Sequence, residues 1–242
     1  MATKEKTLEP QQARSRESLR KLVKAATEVL GQHGVEGATI PRIAEHAGLT
    51  PGAIYRRFRD KDSLLEAVVL GILERQEKNL RLSLPAEMAA KIPFPVLAEQ
   101  LIGSMVLSYR SQAGLLRAIR QFVQGKENTA FWKKATKLEL RNFEYLVDLL
   151  AKKRGEISHP DPRVATALGL RMVSCTLMEV VLNSCDAKAW KGLMPKDDQA
   201  LKHELVRSFL NYVEVEQMGT LTEGDFVVAP RISDLAATTS RV

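Results

Sequence analysis

Three arginines, Arg56, Arg57 and Arg59, follow Gly52 within a single short stretch of the chain. A guanidinium presents a planar fork of donors that matches a guanine edge or a phosphate, and a glycine lets the backbone come close to whatever lies against it. The combination suits recognition of a polyanion. Thr39, Thr50, Tyr55 and Lys61 flank the arginines with hydroxyls and an ammonium, groups that meet phosphate oxygens and set register without choosing sequence.

Charge points the same way. The 242 residues carry 36 Lys+Arg against 29 Asp+Glu, a net charge of +7, and residues 1–61 alone hold 12 basic against 7 acidic residues. Most of the surplus thus lies in the first quarter of the chain, a localised field that suits nucleic acid or an acidic membrane surface.

Motifs for other chemistry are missing. The sequence has no Gly-x-Ser-x-Gly, no His-Glu-x-x-His and no glycine-rich phosphate loop, so the expectation is binding and not catalysis. His159 and His203 have no metal-ligand spacing, and no metal site and no cofactor are expected; surface or capping roles suit them. Cys175 and Cys185 make no disulfide framework, the N-terminus is charged where a signal peptide is apolar, and no run is expected to approach the ~18 apolar residues of a membrane span. A cytoplasmic protein without a membrane partner is the expectation.

The elements that position the arginines are helices. Leu19, Leu22, Val23, Ala26 and Leu30 recur at helical spacing from Arg16 onward, and Gly34 is placed to stop that helix. Thr39 caps a second helix carrying Ile40, Ile43, Ala44 and Ala47, which Gly48 ends. Thr50 caps a third with Pro51 at its first position, and Asp60 caps a long fourth helix that runs to Pro85. Stepping the third helix by about 100° per residue puts Gly52, Arg56 and Arg59 opposite the apolar Ile54 and Phe58, and turns Arg57 toward the flank of the core. Arg56 is then the base reader.

Later segments are helical in period throughout: near Pro95 to Gln112, Leu115 to Gln124, Thr129 to Lys153, Asp161 to Ser184 and Asp198 to Gln217. The fold class expected is all-α with about nine helices: a flexible basic arm at 1–15, a helix-turn-helix domain at 16–62, a larger helical domain at 63–218, and an irregular tail at 219–242.

Thr39, Ile43, Ala44, Ala47, Gly48, Leu49, Thr50, Gly52, Ile54, Tyr55, Phe58, Lys61 and Leu65, at these spacings and after an amphipathic helix ending in Gly34, closely resemble the DNA-binding region of the tetracycline-repressor (TetR) family. The resemblance covers roughly residues 16–66. It departs from the family at Pro41, inside the second helix, and at Arg56-Arg57, where the family often has aromatic or histidine residues. By resemblance the chain is a homodimeric transcriptional regulator, most often a repressor, that holds a palindromic double-stranded DNA operator and releases it when a small molecule enters the larger domain. The alternative is a helical DNA-bound adaptor that has no inducer and acts through protein contacts.

With the family's motif laid on the sequence, the DNA-contacting set is Thr39, Pro41, Arg42, Thr50, Pro51, Gly52, Ala53, Tyr55, Arg56, Arg59 and Lys61. The resemblance places the dimer interface on the last two long helices, where Leu168, Met172 and Cys175 in one and Leu205, Phe209 and Val213 in the other form apolar stripes. Met105, Tyr109, Phe122, Trp132, Phe143 and Met178 are candidates to line a pocket for a small apolar or amphipathic effector, with Arg117, Arg120 or Glu139 as polar anchor.

Overall fold

A computed structural model describes residues 8–183 and 192–214. Among the described residues ten α-helices follow one another without a strand: α1 Leu8–Gly37, α2 Ile40–Ala47, α3 Pro51–Tyr55, α4 Lys61–Ser83, α5 Ala86–Lys91, α6 Phe94–Ser111, α7 Ala113–Val123, α8 Ala130–Ala151, α9 Pro162–Leu177 and α10 Asp198–Tyr212. A 3-10 turn, Arg154–Glu156, follows α8, and a π-helical turn, Met178–Leu182, continues α9. The all-α class expected from the sequence is the one observed.

Three local differences have physical causes. The helix begins at Leu8 and not at Arg16, so residues 8–15 of the expected flexible arm are helical, with Pro10 in the first turn where its missing N–H breaks no bond. The helix absent from the sequence reading is α5, whose six residues AEMAAK are good helix formers but too few to display a period. The third is α3, which ends at Tyr55, earlier than the projection through Arg59 assumes. The tail at 219–242 lies outside the described residues.

Contacts divide the chain into two compact units, residues 1–74 with 114–137, and residues 75–113 with 138–242. This differs from the expected division at 62/63. The first unit takes the opening half of α4 and also recruits α7 and the start of α8 from later in the chain.

In the first unit Leu22, Leu30, Ile43, Ile54, Leu64 and Leu65 are fully buried, and Ala118, Phe122, Phe131 and Ala135 from the recruited segment close the same core. Phe122 meets Phe131 edge to face at 5.9 Å. The backbones of α1 and α7 nearly touch, since a Cβ on Gly114 would stand 2.3 Å from the Gly31 carbonyl oxygen.

In the second unit α6 buries Phe94, Leu97, Ile102 and Val106, and Phe94 stacks on Phe209 of α10 at 6.1 Å. Gly169 lets α9 approach α10 closely, because a Cβ there would lie 2.7 Å from the Phe209 ring. Polar ties add direction: the Tyr109 and Ser174 hydroxyls are 2.9 Å apart, the Tyr145 hydroxyl donates to the Leu84 carbonyl, and Lys202 pairs with Glu99 at 2.6 Å.

The stretch Pro162–Leu182, 21 residues with mean hydropathy 1.5, is long and apolar enough by length and composition to cross a membrane. A core helix of a soluble protein meets the same test. The sequence reading missed it because Arg163, Arg171 and Glu179 interrupt the apolar run. Its side chains divide between Ala165, Leu170, Val173 and Leu177, which are buried in the second unit, and Val164, Leu168 and Met172, which are 54%, 47% and 42% exposed.

Candidate nucleic-acid interface

The turn between α2 and α3 is built from local signals. Thr39 Oγ1 accepts from the Arg42 amide at 3.4 Å, and Pro41 sits in the first turn of α2, where no intrahelical donor is lost. Gly48 ends α2 in the left-handed region (φ 64°, ψ 36°), its N–H donates to the Ala44 and Glu45 carbonyls, and Leu49 N donates to Ala44 O at 2.8 Å. Thr50 Oγ1 then accepts from Ala53 N at 3.3 Å with Pro51 opening α3. Fully buried Ile54 anchors the short helix.

Two bonds tie α2 to α1, and a third ties the start of α4 to the same helix. His46 Nε2 lies 2.7 Å from Glu28 Oε2, Arg42 Nη1 donates to the Gly37 carbonyl at 2.8 Å, and Lys61 Nζ donates to the Val35 carbonyl at 3.0 Å. The last two show that Arg42 and Lys61 brace the end of α1, in addition to the DNA contacts the motif suggests for them.

The outward face carries Thr39, Pro41, Arg42, Thr50, Pro51, Gly52, Tyr55, Arg56, Arg57 and Arg59, all exposed, with Ala53 and Lys61 half-buried. An added Cβ on Gly52 would meet nothing within 4 Å, so that face of α3 is open. Arg59 departs from the projection. Its Nε donates to Asp60 Oδ2 at 2.8 Å, because the helix has ended and the 100° step no longer places the side chain. Arg57 is exposed as well, not turned into the core flank.

Asp60 starts α4 with a reciprocal cap: its Oδ1 accepts from Ser63 N at 2.8 Å while Ser63 Oγ accepts from Asp60 N at 3.2 Å. The Ser63 amide above all, then the Arg59 guanidinium and the Ser63 hydroxyl, lower the Asp60 pKa to about 2. The same pair raises Arg59 further above its ordinary value. An open cleft of about 440 Å³ begins here, lined by Arg59, Asp60, Lys61, Asp62, Ser63, Glu66 and Lys126. Within it Lys126 Nζ lies 3.0 Å from Asp62 Oδ2 and 3.2 Å from Glu66 Oε1. Burial opposes the charge on Lys126, but these two bonds outweigh it and raise the pKa. No signal in the sequence marks Lys126, which stands some sixty residues from its partners.

Capped, glycine-opened and arginine-bearing, this helix pair coincides with the match to the family model described as bacterial regulatory proteins, tetR family, which covers residues 22–68. Residues 22–68 of the first unit are thus similar in sequence to the bacterial regulators of that family. Over 57 residues the chain is 40% identical to the uncharacterized HTH-type transcriptional regulator TtgW of Pseudomonas putida, a match spanning 24% of this chain and 42% of that one. The chain spans less than half the length of the curated relatives it matches first.

Likeness in fold extends further than likeness in sequence. A putative TetR-family transcriptional regulator from Mesorhizobium loti superposes with a TM-score of 0.62 at 19% identity, over 83% of this chain and 97% of that one. The transcriptional regulator FadR from Bacillus subtilis, in complex with stearoyl-CoA, gives 0.53 at 20% identity, over 80% and 98%.

Away from the outward face of α2 and α3, the remaining expected site residues separate. Leu205, Phe209 and Val213 are 7%, 1% and 0% exposed, buried within the chain's own second unit and not on its surface, where the dimer expectation put them. Leu168, Met172 and Cys175 on α9 are exposed. Of the six pocket candidates, Phe122 and Trp132 belong to the first unit, and Phe122 is a buried core residue there. Met105, Tyr109, Phe143 and Met178 are half-buried in the second unit. The Glu139 carboxyl is raised above its ordinary pKa by desolvation, against the pull of Arg171. His159 Nδ1 accepts from the Asp161 amide at 3.1 Å, a capping role. Among the described residues no three His, Cys, Asp or Glu are grouped to hold a metal ion.

Proposed function

We propose that the chain is a transcriptional repressor that binds a palindromic DNA operator as a homodimer and releases it when a small apolar or amphipathic effector binds its second unit. The observation that carries this reading is the open α3 face, with Gly52 unobstructed and Arg56 exposed, inside the segment that matches the tetR family. Arg56 grips a base edge, Gly52 allows the close approach, and Thr39, Pro41, Thr50, Pro51, Ala53 and Tyr55 lie along the phosphates.

One five-residue helix reads few bases, so a twofold partner doubles the site and spaces the half-sites by multiples of about 34 Å. The exposed apolar face of α9, Val164, Leu168, Met172 and Cys175, supports a partner there. Effector binding is supported by the stearoyl-CoA held by a protein of the same fold, and Met105, Tyr109, Phe143 and Met178 are the residues proposed to meet it. The activity is binding, with an effector and no cofactor, and its place is the cytoplasm, where the DNA is.

The test compares Arg56→Ala with wild type on two labelled duplexes, one enriched by the wild-type chain from a random-sequence pool and one with the same bases scrambled. A lost bidentate base contact is worth about 1–3 kcal/mol, so affinity for the enriched duplex falls by about 5- to 150-fold while the scrambled duplex is little affected. Equal losses on both would refute base reading by Arg56.

A further inference from the structure

The reading helix cannot hold its own pose. With five residues α3 is shorter than any helix that is stable by itself, and Ile54 is its one buried side chain, so its orientation is set by the elements on either side. On the far side that element is the first turn of α4, which begins at Lys61.

That turn is tied to a segment far along the chain. Asp62 and Glu66 stand four residues apart on one face of α4, and the single ammonium of Lys126 bonds both, at 3.0 Å and 3.2 Å. The Lys126 side chain is only 19% exposed, and Nζ lies 4.5 Å from the centroid of the Phe122 ring. Its own backbone is fixed: Lys126 N donates to Val123 O at 3.1 Å, and the Thr129 hydroxyl donates to Lys126 O at 2.7 Å. Behind it Phe122 is packed on Phe131, and Gly114 locks α7 against Gly31 of α1. A rigid chain of contacts therefore runs from α1, through α7 and the turn after it, to the start of α4.

We infer that Lys126 is a positioning residue for DNA binding: bonded to Asp62 and Glu66, it pins the first turn of α4 and so holds α3 in the pose that reads DNA. This rests on the DNA-reading role proposed above. A pin acts by keeping the competent pose populated, and apparent affinity falls in proportion to any loss of that population. It also predicts a sign that plain electrostatics does not. Asp62 is 60% exposed on a unit that faces a polyanion, so removing its charge would by Coulomb's law tighten DNA binding, whereas loss of the pin weakens it.

The experiment uses the full chain with Lys126→Met, Lys126→Arg, Asp62→Asn and the double variant Lys126→Met/Asp62→Asn. Affinity at 25 °C is read by fluorescence anisotropy on the duplex the wild type enriches from a random pool, across a salt series, beside thermal unfolding curves. Lys126→Met and Asp62→Asn each weaken binding by about three- to tenfold, the double variant is no weaker than the worse single one, and Lys126→Arg retains most of the affinity. The slope of log K against log salt stays at the wild-type value, because Lys126 touches no phosphate. Tighter or unchanged binding by Asp62→Asn overturns the inference even where Lys126→Met fails to fold. So does a Lys126→Met slope shallower by about 0.9, the signature of a direct phosphate contact, and so does a lower unfolding temperature with unchanged affinity. If the wild type enriches no sequence, the DNA-reading proposal falls; enrichment with full affinity in the variants removes the pin alone.

Discussion

Replacing Gly52 by alanine separates the stability of the reading helix from its function, because the two should move in opposite directions. An added Cβ meets nothing within 4 Å in the free protein, and the position lies in an ordinary helical turn. Alanine favours a helix over glycine by about 0.5–1 kcal/mol, chiefly through the entropy of the unfolded chain, and near a helix end the gain lies at the lower limit. For a chain of this size that raises the unfolding midpoint by about 1–4 °C.

DNA binding should respond the other way. If the α3 backbone lies against the bases, a methyl group there holds the helix off by a few tenths of an ångström or more and weakens the neighbouring Arg56 contact. The loss is then on the order of the 1–3 kcal/mol of a bidentate base contact, about 5- to 150-fold in affinity. Scanning fluorimetry and anisotropy on an enriched duplex read the two quantities in one preparation. An affinity equal to wild type would refute close approach at Gly52, and a lowered midpoint would refute the open geometry itself.

Two further outcomes follow from the same description. Asp60 has its pKa lowered from the ordinary 3.8 to about 2 in the folded chain, so its cap contributes stability that is complete above about pH 4 and lost as pH falls toward 2; Asp60→Asn should flatten the acid limb of the unfolding curve in that window, and an unchanged limb would contradict the cap. Leu168→Glu places a charge in the exposed α9 stripe and should shift the chain to monomer in sedimentation equilibrium at micromolar concentration, whereas a dimer as tight as wild type would move the interface elsewhere.

What could be read in the sequence was local. Thr39, Gly48, Thr50 and Pro51 act within one turn of themselves, so caps, the left-handed turn and the open Gly52–Arg56 face follow from residue types and spacing. The projection failed at Arg59, where the helix it assumed had already ended and the adjacent Asp60 carboxylate takes the guanidinium. Amphipathic stripes were legible as stripes but not as to what covers them: Phe209 faces Phe94 within the chain while Leu168 faces outward, and the two read alike in a helical pattern. Membership of α7 in the first unit was invisible, because Gly31–Gly114 and Lys126–Asp62 join residues separated by more than sixty positions.

We propose that α3, presented twice, reads DNA. Selection of duplexes from a random pool by the 242-residue chain, followed by sequencing, is the test. An inverted repeat with half-sites about one helical turn or a whole multiple apart should be enriched, and the enrichment should be lost when Arg56 is alanine. A pool that stays random, or one enriched equally by Arg56→Ala, would contradict it.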